Sequence, residues 1–355
     1  MIEERLASLY KLMTANSLDG IIVTKPENRH YFSGFTGSSG MLVLGGQSPV
    51  LLTDFRYIEQ AKQQAPLYQV IRHGASMLVT LADVSRTAGL RRIGFESDYI
   101  TWDYYRQLTE QLTAAELVPV TLDALRMVKD RMELGLLAKA VKIADAAFNQ
   151  TLKIIKPGIT ELDIALELEY QMRKRGAEKP AFDTIVASGV RSALPHGRAS
   201  NKAVEAGDFV TMDFGAVYEG YHSDMTRTVV AGKASPKQRE IYNTVLAAQL
   251  AGVQAVKAGR AGKEVDGVAR EVIAAAGYGD FFGHGLGHGV GLFIHEEPRL
   301  SPSGEVILAP GMVVSVEPGI YIPDWGGVRI EDLVAVSAAG CTILTASSKD
   351  LIELD

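Results

Sequence analysis

Apolar positions follow two textures along this chain. Up to about residue 120, short apolar runs of strand length alternate with longer stretches of helical spacing. Residues 20–24 (GIIVT), 41–44, 50–53, 68–72, 92–96 and 117–120 read as strands, and 54–65, 77–88 and 102–112 as helices. That alternation predicts a layered α/β domain. Within it, residues 31–40 (YFSGFTGSSG) read as an aromatic-bearing Gly/Ser loop, a plain surface loop or, as loops often carry function, one that faces a substrate. It is not a phosphate loop, because no Lys-Ser/Thr follows its glycines.

From about residue 125 the pattern changes to long helices followed by hairpins. Residues 127–155 carry periodic apolars and are stopped by Lys156-Pro157-Gly158. Thr160 with Asp163 three residues on predicts an N-cap, and Gly176 a stop. Ser235-Pro236 predicts a second start, with that helix ending at 257–259 and another spanning 264–276. Lys156-x-Gly158 before Leu162-Asp163 is echoed by Lys257-x-Gly259 before Val265-Asp266. Helix, break, helix, hairpin thus occurs twice, about 100 residues apart, which predicts duplicated halves with a site between them. The fold class expected is α/β: a layered α/β domain over 1–122, then an α+β domain over 123–355 with an internal pseudo-twofold repeat.

Composition narrows the partners. The 355 residues hold 36 Lys and Arg against 42 Asp and Glu, a formal charge of −6. That acidity disfavours nucleic acid or an anionic membrane, both of which need a basic face. One cysteine, Cys341, excludes an internal disulfide framework and any multi-Cys metal site, and fits a reducing, cytoplasmic setting. The acidic start lacks the apolar core of a secretory signal, and no apolar run reaches the roughly 18 residues of a membrane span.

The chemistry lies in the two hairpins and the segment between them. On strand 209–218, Val210, Met212, Phe214 and Ala216 share one face and Asp213 the other. An even turn at Glu219-Gly220 brings Asp224 to the face of Asp213. Such a carboxylate pair repels unless a cation sits between its members. The second hairpin carries Glu317 on strand 312–317 and Arg329 and Glu331 on strand 328–336. The even 317-to-331 spacing requires an odd loop or a bulge for the two to share a face. Between the hairpins, GHGLGHGVG over 283–291 has Gly at every second position. Extended, it puts His284 and His288 on one face and leaves the other bare for close approach. Its G-x-G pattern lacks the third glycine and opening helix of a dinucleotide fingerprint. Asp213, Asp224, His288, Glu317 and Glu331 form an oxygen-rich set that suits two divalent ions such as Mn, Co, Fe or Zn.

With these residues assembled, the chain resembles the pita-bread metallopeptidases, and among them the proline dipeptidase and aminopeptidase P type. GLGHGVGLFIHE, MDFGAVYEGYHSDMTRT, SVEPGIY and GVRIED resemble that family's metal-binding blocks, and HYFSGFTG a creatinase-type N-terminal domain. The resemblance implies a pita-bread catalytic domain with two divalent metal ions, manganese first. Asp213 would hold one ion, Asp224 and Glu331 would bridge both, and His288 and Glu317 would hold the second. Glu317 would also be general base to a bridging hydroxide. His196 would shuttle protons and His295 would contact the peptide. His284 would be a pocket histidine, Arg329 would orient a ligand carboxylate, and Arg299 would bind a dipeptide's free carboxylate unless it is a plain surface arginine. His222 is expected to be an exposed strand-end histidine. The implied substrate is a proline-containing di- or oligopeptide cut at the Xaa–Pro bond, and the implied assembly a homodimer. The alternatives are an Xaa-Pro aminopeptidase on longer peptides, a metal-free creatinase-like hydrolase, and a binding module without catalysis. The last two conflict with the complete five-residue set.

Overall fold

The N-terminal alternation builds one sheet in the computed structural model, which describes residues 2–354. Its six strands lie in the order Gln69–Arg72, Val50–Thr53, Met41–Gly45, Gly20–Val23, Arg92–Glu96, Glu116–Val120. The central three pair antiparallel and the outer ones parallel. Helices Met77–Thr87 and Trp102–Gln111 bury Leu81 and Leu108 against Ile22, Val43, Leu52 and Ile93. The segment expected as one helix over 54–65 is a single 3₁₀ turn, Phe55–Tyr57, followed by helix Ile58–Gln64.

Two helices of this unit have no counterpart in the sequence reading, Ile2–Ala15 and Pro26–Ser33. The second corrects the surface-loop expectation. Tyr31 and Phe32 lie inside that helix, and Phe32 and Phe35 are completely buried. Pro26 opens the helix at its first turn and Gly34, at φ 79°, closes it, the usual asymmetry of helix ends.

The chain divides into two compact units, Met1–Arg126 and Met127–Asp355. In the second, helix Arg131–Thr151 starts on a capping box of Asp130 and Glu133. Helices Glu161–Lys174 and Pro236–Ala255 start on the boxes of Thr160 and Ser235, and Gly262–Ala275 follows. The duplication is visible in backbone detail. After the first helix of each half, the Gly158 N–H donates to the Val204 carbonyl (2.8 Å) and the Gly259 N–H to that of Leu308 (2.9 Å). Each half then builds its own sheet. One orders Glu353–Leu354, Met225–Ala231, Phe209–Phe214, Ile185–Ser188; the other orders Glu296–Leu300, Gly287–Gly289, Val313–Val316, Asp332–Val336, Cys341–Ile343. Separate apolar cores lie under them, around Phe148, Leu168 and Met212 in one half and Val245, Val265 and Val314 in the other. Among the described residues no helix is long and apolar enough to cross a membrane.

A buried ionic knot ties the halves. Arg227, on strand Met225–Ala231, donates to Asp332 Oδ1 at 2.9 Å, with Thr345 on the same oxygen and Gln249 on Oδ2. Burial pushes the Asp332 carboxyl up, but Arg227 and Lys349 outweigh it and hold the group below the ordinary carboxylate value. A depressed folded pKa stabilises the protein fully above the unfolded value near 3.9, and that contribution is lost as pH falls through the folded one. Asp332→Asn should therefore cost about 3–5 kcal/mol at neutral pH, because it strands a buried guanidinium. It should also flatten the acid limb of stability. Urea unfolding across pH 2–7 checks both, and an unchanged acid limb would refute the assignment.

Candidate functional site

The first carboxylate pair arises from strand register. Asp213 lies opposite Thr226 and Tyr218 opposite Tyr221, one continuous register across the hairpin. Asp224, two residues before Thr226, therefore shares the face of Asp213, as the even turn predicts. The strands pass so closely here that a Cβ on residue 215 would stand 1.9 Å from the Ser223 carbonyl oxygen, which requires Gly215.

The second pair is solved by an odd turn. Ile322 pairs with Gly326 across Pro323-Asp324-Trp325, with Asp324 at φ 58°. The register that joins Gly319 to Arg329 also joins Val316 to Asp332, so Glu317 and Glu331 fall opposite each other without a bulge. At these two positions the chain changes partner. The Glu317 N–H donates to Leu286 O (2.8 Å) and the Glu331 N–H to Thr226 O (3.1 Å). The two hairpins thus interlock where they carry their acids.

His288 comes from the glycine run. A Cβ on Gly287 would stand 2.0 Å from the Ser315 carbonyl oxygen, and one on Gly289 2.2 Å from that of Glu297. The bare face is filled by neighbouring backbone on both sides. With Nδ1 at 3.1 Å from the Gly289 carbonyl, Nε2 faces Glu317 Oε1 (3.3 Å) and Asp224 Oδ2 (3.6 Å).

The acids are too close to be ionised together without compensation. Ligand oxygens of Asp213, Asp224 and Glu331 lie within 4.8 Å of one another. Burial and the neighbouring carboxylates push Asp224 and Glu331 well above the ordinary range and raise Asp213 despite Arg329. Glu317 moves the other way. Burial pushes it up, but His288, His284 and Arg329 draw it down to about 2. Asp213 Oδ1 and Glu331 Oε1 are buried without a hydrogen-bond partner among the described residues. Buried polar atoms are nearly always partnered, so two orphaned carboxylate oxygens facing an acid cluster fit a hard divalent cation.

Around the acids runs a hydrogen-bonded shell. Arg329 donates to Asp213 Oδ2 (2.7 Å), the Tyr321 hydroxyl (2.8 Å) and Thr226 Oγ1 (3.0 Å). Thr226 donates to Glu331 Oε2 (2.8 Å), Ser315 to Glu317 Oε1 (2.9 Å), and His284 Nε2 lies 2.8 Å from the Tyr321 oxygen. Thr226, Ser315 and Tyr321 lie in the quoted blocks but carry no role in the sequence reading, although period-2 alternation flags two of them. Thr226 faces Asp213 directly, and Ser315 precedes Glu317 by two.

A cavity of about 530 Å³ opens over the acids. Every predicted site residue lines it except Glu331, which stands behind the others with 1% of its surface exposed. His196 and His295 are exposed there. The His295 ring lies edge-on to His288 at 4.5 Å between centroids, and burial with the nearby His288 and Arg299 pushes its pKa down to about 4. Arg299, 43% exposed at the side chain, points a guanidinium N–H at the His295 carbonyl (3.3 Å). Phe182 and Ile185 add an apolar wall that sequence reasoning missed. His222 corrects its expectation. It is buried, its N–H donates to Gly291 O at 2.9 Å, and burial pushes its imidazole down to about 4.

Residues 135–338 match the model of metallopeptidase family M24, and residues 5–128 that of the creatinase/prolidase N-terminal domain. The chain is 42% identical over 355 residues to an Xaa-Pro dipeptidase of Pyrococcus furiosus, covering 99% of this chain and 100% of that one. Among solved structures, an Xaa-Pro dipeptidase from Bacillus anthracis superposes with TM-score 0.97 at 46% identity, covering all of both chains. An X-Pro aminopeptidase from Thermotoga maritima superposes with TM-score 0.91 at 40% identity, covering 95% of this chain and 98% of that one.

Proposed function

Because the chain belongs to metallopeptidase family M24, we propose that it is an Xaa-Pro dipeptidase that hydrolyses the bond before proline with two divalent cations per subunit. The observation that carries this reading is the buried acid cluster with its orphaned oxygens, open to a cavity of dipeptide size. Asp213, Asp224, His288, Glu317 and Glu331 would hold the cations. Manganese is the first choice, and Co, Fe and Zn suit the same thiolate-free set. When bound, the cations supply a reactive water near neutral pH and stabilisation of charge on the carbonyl oxygen.

The remaining work falls to the chain's own residues. Glu317, ionised at neutral pH, accepts a proton from the attacking water. His295, neutral at that pH, donates an N–H to the peptide carbonyl. The proton taken from the water is handed on to the departing proline nitrogen by Glu317 itself or through His196 at the cavity wall. Arg329 holds Asp213 in place and, through Tyr321, orients His284. Arg299 binds the free carboxylate of the dipeptide. Proline's tertiary amide offers no N–H to a general peptidase, so a dedicated apolar wall such as that of Phe182 and Ile185 serves the ring.

A second reading, an Xaa-Pro aminopeptidase on longer peptides, is favoured by the likeness to the Thermotoga maritima aminopeptidase. The manganese-loaded protein assayed on Xaa-Pro and Xaa-Pro-Xaa peptides separates the two. Turnover of the dipeptide alone supports the first, and the reverse overturns it. Arg299→Ala should raise KM for Xaa-Pro by roughly tenfold or more, the loss of a charge-assisted hydrogen bond, with kcat nearly unchanged. Activity that survives chelation would refute the metal-dependent mechanism. The proposal is completed by domains at 1–122 and 123–355, a cytoplasmic location and a homodimer, the last checked by sedimentation.

A further inference from the structure

The loop Gly291-Leu292-Phe293-Ile294-His295 is held from behind by an ion pair that the mechanism does not use. Lys129 Nζ lies 3.1 Å from Glu296 Oε2, with the two side chains 1% and 3% exposed. The other Glu296 oxygen accepts the Phe293 N–H at 3.0 Å. Lys129 is itself fixed, its N–H on Gly311 O (2.9 Å) and its ammonium on Met127 O (3.2 Å). At the loop's start the Gly291 carbonyl accepts the N–H of buried His222, and the Gly291 N–H returns to Phe293 O. A side chain at 291 would have to displace this pair, since its Cβ would stand 2.5 Å from Glu296 Oε2 and 3.1 Å from Lys129 Cε. On the other side of this clamp His295 faces the cavity against the His288 ring.

Two buried charges are expensive, and an apolar pair of similar volume is often equally stable. What the ionic pair adds is direction: it fixes the carboxylate that fixes the Phe293 amide, two residues before His295. We propose that Lys129 and Glu296 are positioning residues that hold His295 in its working orientation over the acid cluster. The inference rests on the role proposed above for His295.

The test uses the manganese-loaded full chain with Glu296→Gln, and with Lys129→Met plus Glu296→Gln, which removes both charges and so guards against a misfolded single variant. Amides of residues 291–296 should exchange with deuterium several-fold faster, while those of helix Arg131–Thr151 keep their protection. On Xaa-Pro, kcat should fall roughly tenfold, in the range for loss of an orienting partner, at unchanged KM. On a His295→Ala background the same substitutions should give no further loss, because the clamp acts only through that side chain. Unchanged loop protection, or losses that multiply with those of His295→Ala, would overturn the proposal. Failure of the wild type to cleave Xaa-Pro would count against the dipeptidase reading alone, and the exchange experiment would still decide the clamp.

Discussion

Glu331→Gln should lower metal-dependent Xaa-Pro turnover by about 10³-fold or more, a loss of roughly 4 kcal/mol of transition-state stabilisation, while leaving the metal-free protein at least as stable as the wild type. The two effects have opposite signs for one reason. Burial, Glu317 and Asp213 hold the Glu331 carboxyl well above its ordinary range, so the charged form is disfavoured until cations arrive. A neutral amide of the same shape removes that repulsion and still accepts the Thr226 hydroxyl. It also removes one of the proposed anionic ligands. Manganese at 100 times its Kd should stabilise the wild type by about 2.7 kcal/mol, and the variant by much less. Thermal unfolding with and without manganese, beside the peptide assay, reads all three quantities. A variant that keeps both turnover and the metal-induced rise in Tm would remove Glu331 from the proposed ligands.

The second large effect is steric. Gly287→Ala should destabilise the second unit by about 3 kcal/mol or more, at the upper end of what single substitutions do. Its new methyl would stand 2.0 Å from the Ser315 carbonyl oxygen. Relief requires separating strands Gly287–Gly289 and Val313–Val316, which carry His288 and lead into Glu317. Metal affinity should fall with stability. Gly267→Ala, within helix Gly262–Ala275 and with nothing inside 4 Å of its added Cβ, is the matched control. It should stabilise by about 0.5–1 kcal/mol from helix propensity and the reduced freedom of the unfolded chain. Urea midpoints give both numbers. A Gly287→Ala midpoint equal to wild type would mean that the strands have slack the structure does not show.

Much of the acid cluster was legible because it depends on parity. Alternation and the even turn at Glu219-Gly220 are local, and they suffice to place Asp213 and Asp224 on one face. The glycine run likewise announces close approach, although which backbones approach depends on sheet order. The second hairpin was legible only up to a choice, because nothing local fixes Pro323-Asp324-Trp325 as a three-residue turn. Helix Pro26–Ser33 was missed although its signals, Pro26 at the start and Gly34 at the end, were present; the glycines and serines after it drew the reading toward a loop. His222 could not be placed from sequence, since the carbonyl that its backbone and ring nitrogens meet belongs to Gly291, 69 residues away. The same holds for Lys129 and Glu296, 167 residues apart.

The crossing of the hairpins has a thermodynamic consequence. Asp213 and Asp224 come from one half of the duplicated unit, and His288, Glu317 and Glu331 from the other, with the Glu331 N–H seated on Thr226. A cation held between them acts as a rivet through two plates. Opening the seam between the halves would part the proposed ligands on both sides at once, so cation release should be coupled to separation of the halves rather than to fraying of one strand. Each ion so bound would raise the free energy of that opening by an amount that grows with the logarithm of its free concentration over Kd, and the proposed ligands would then also make the duplicated fold cooperative.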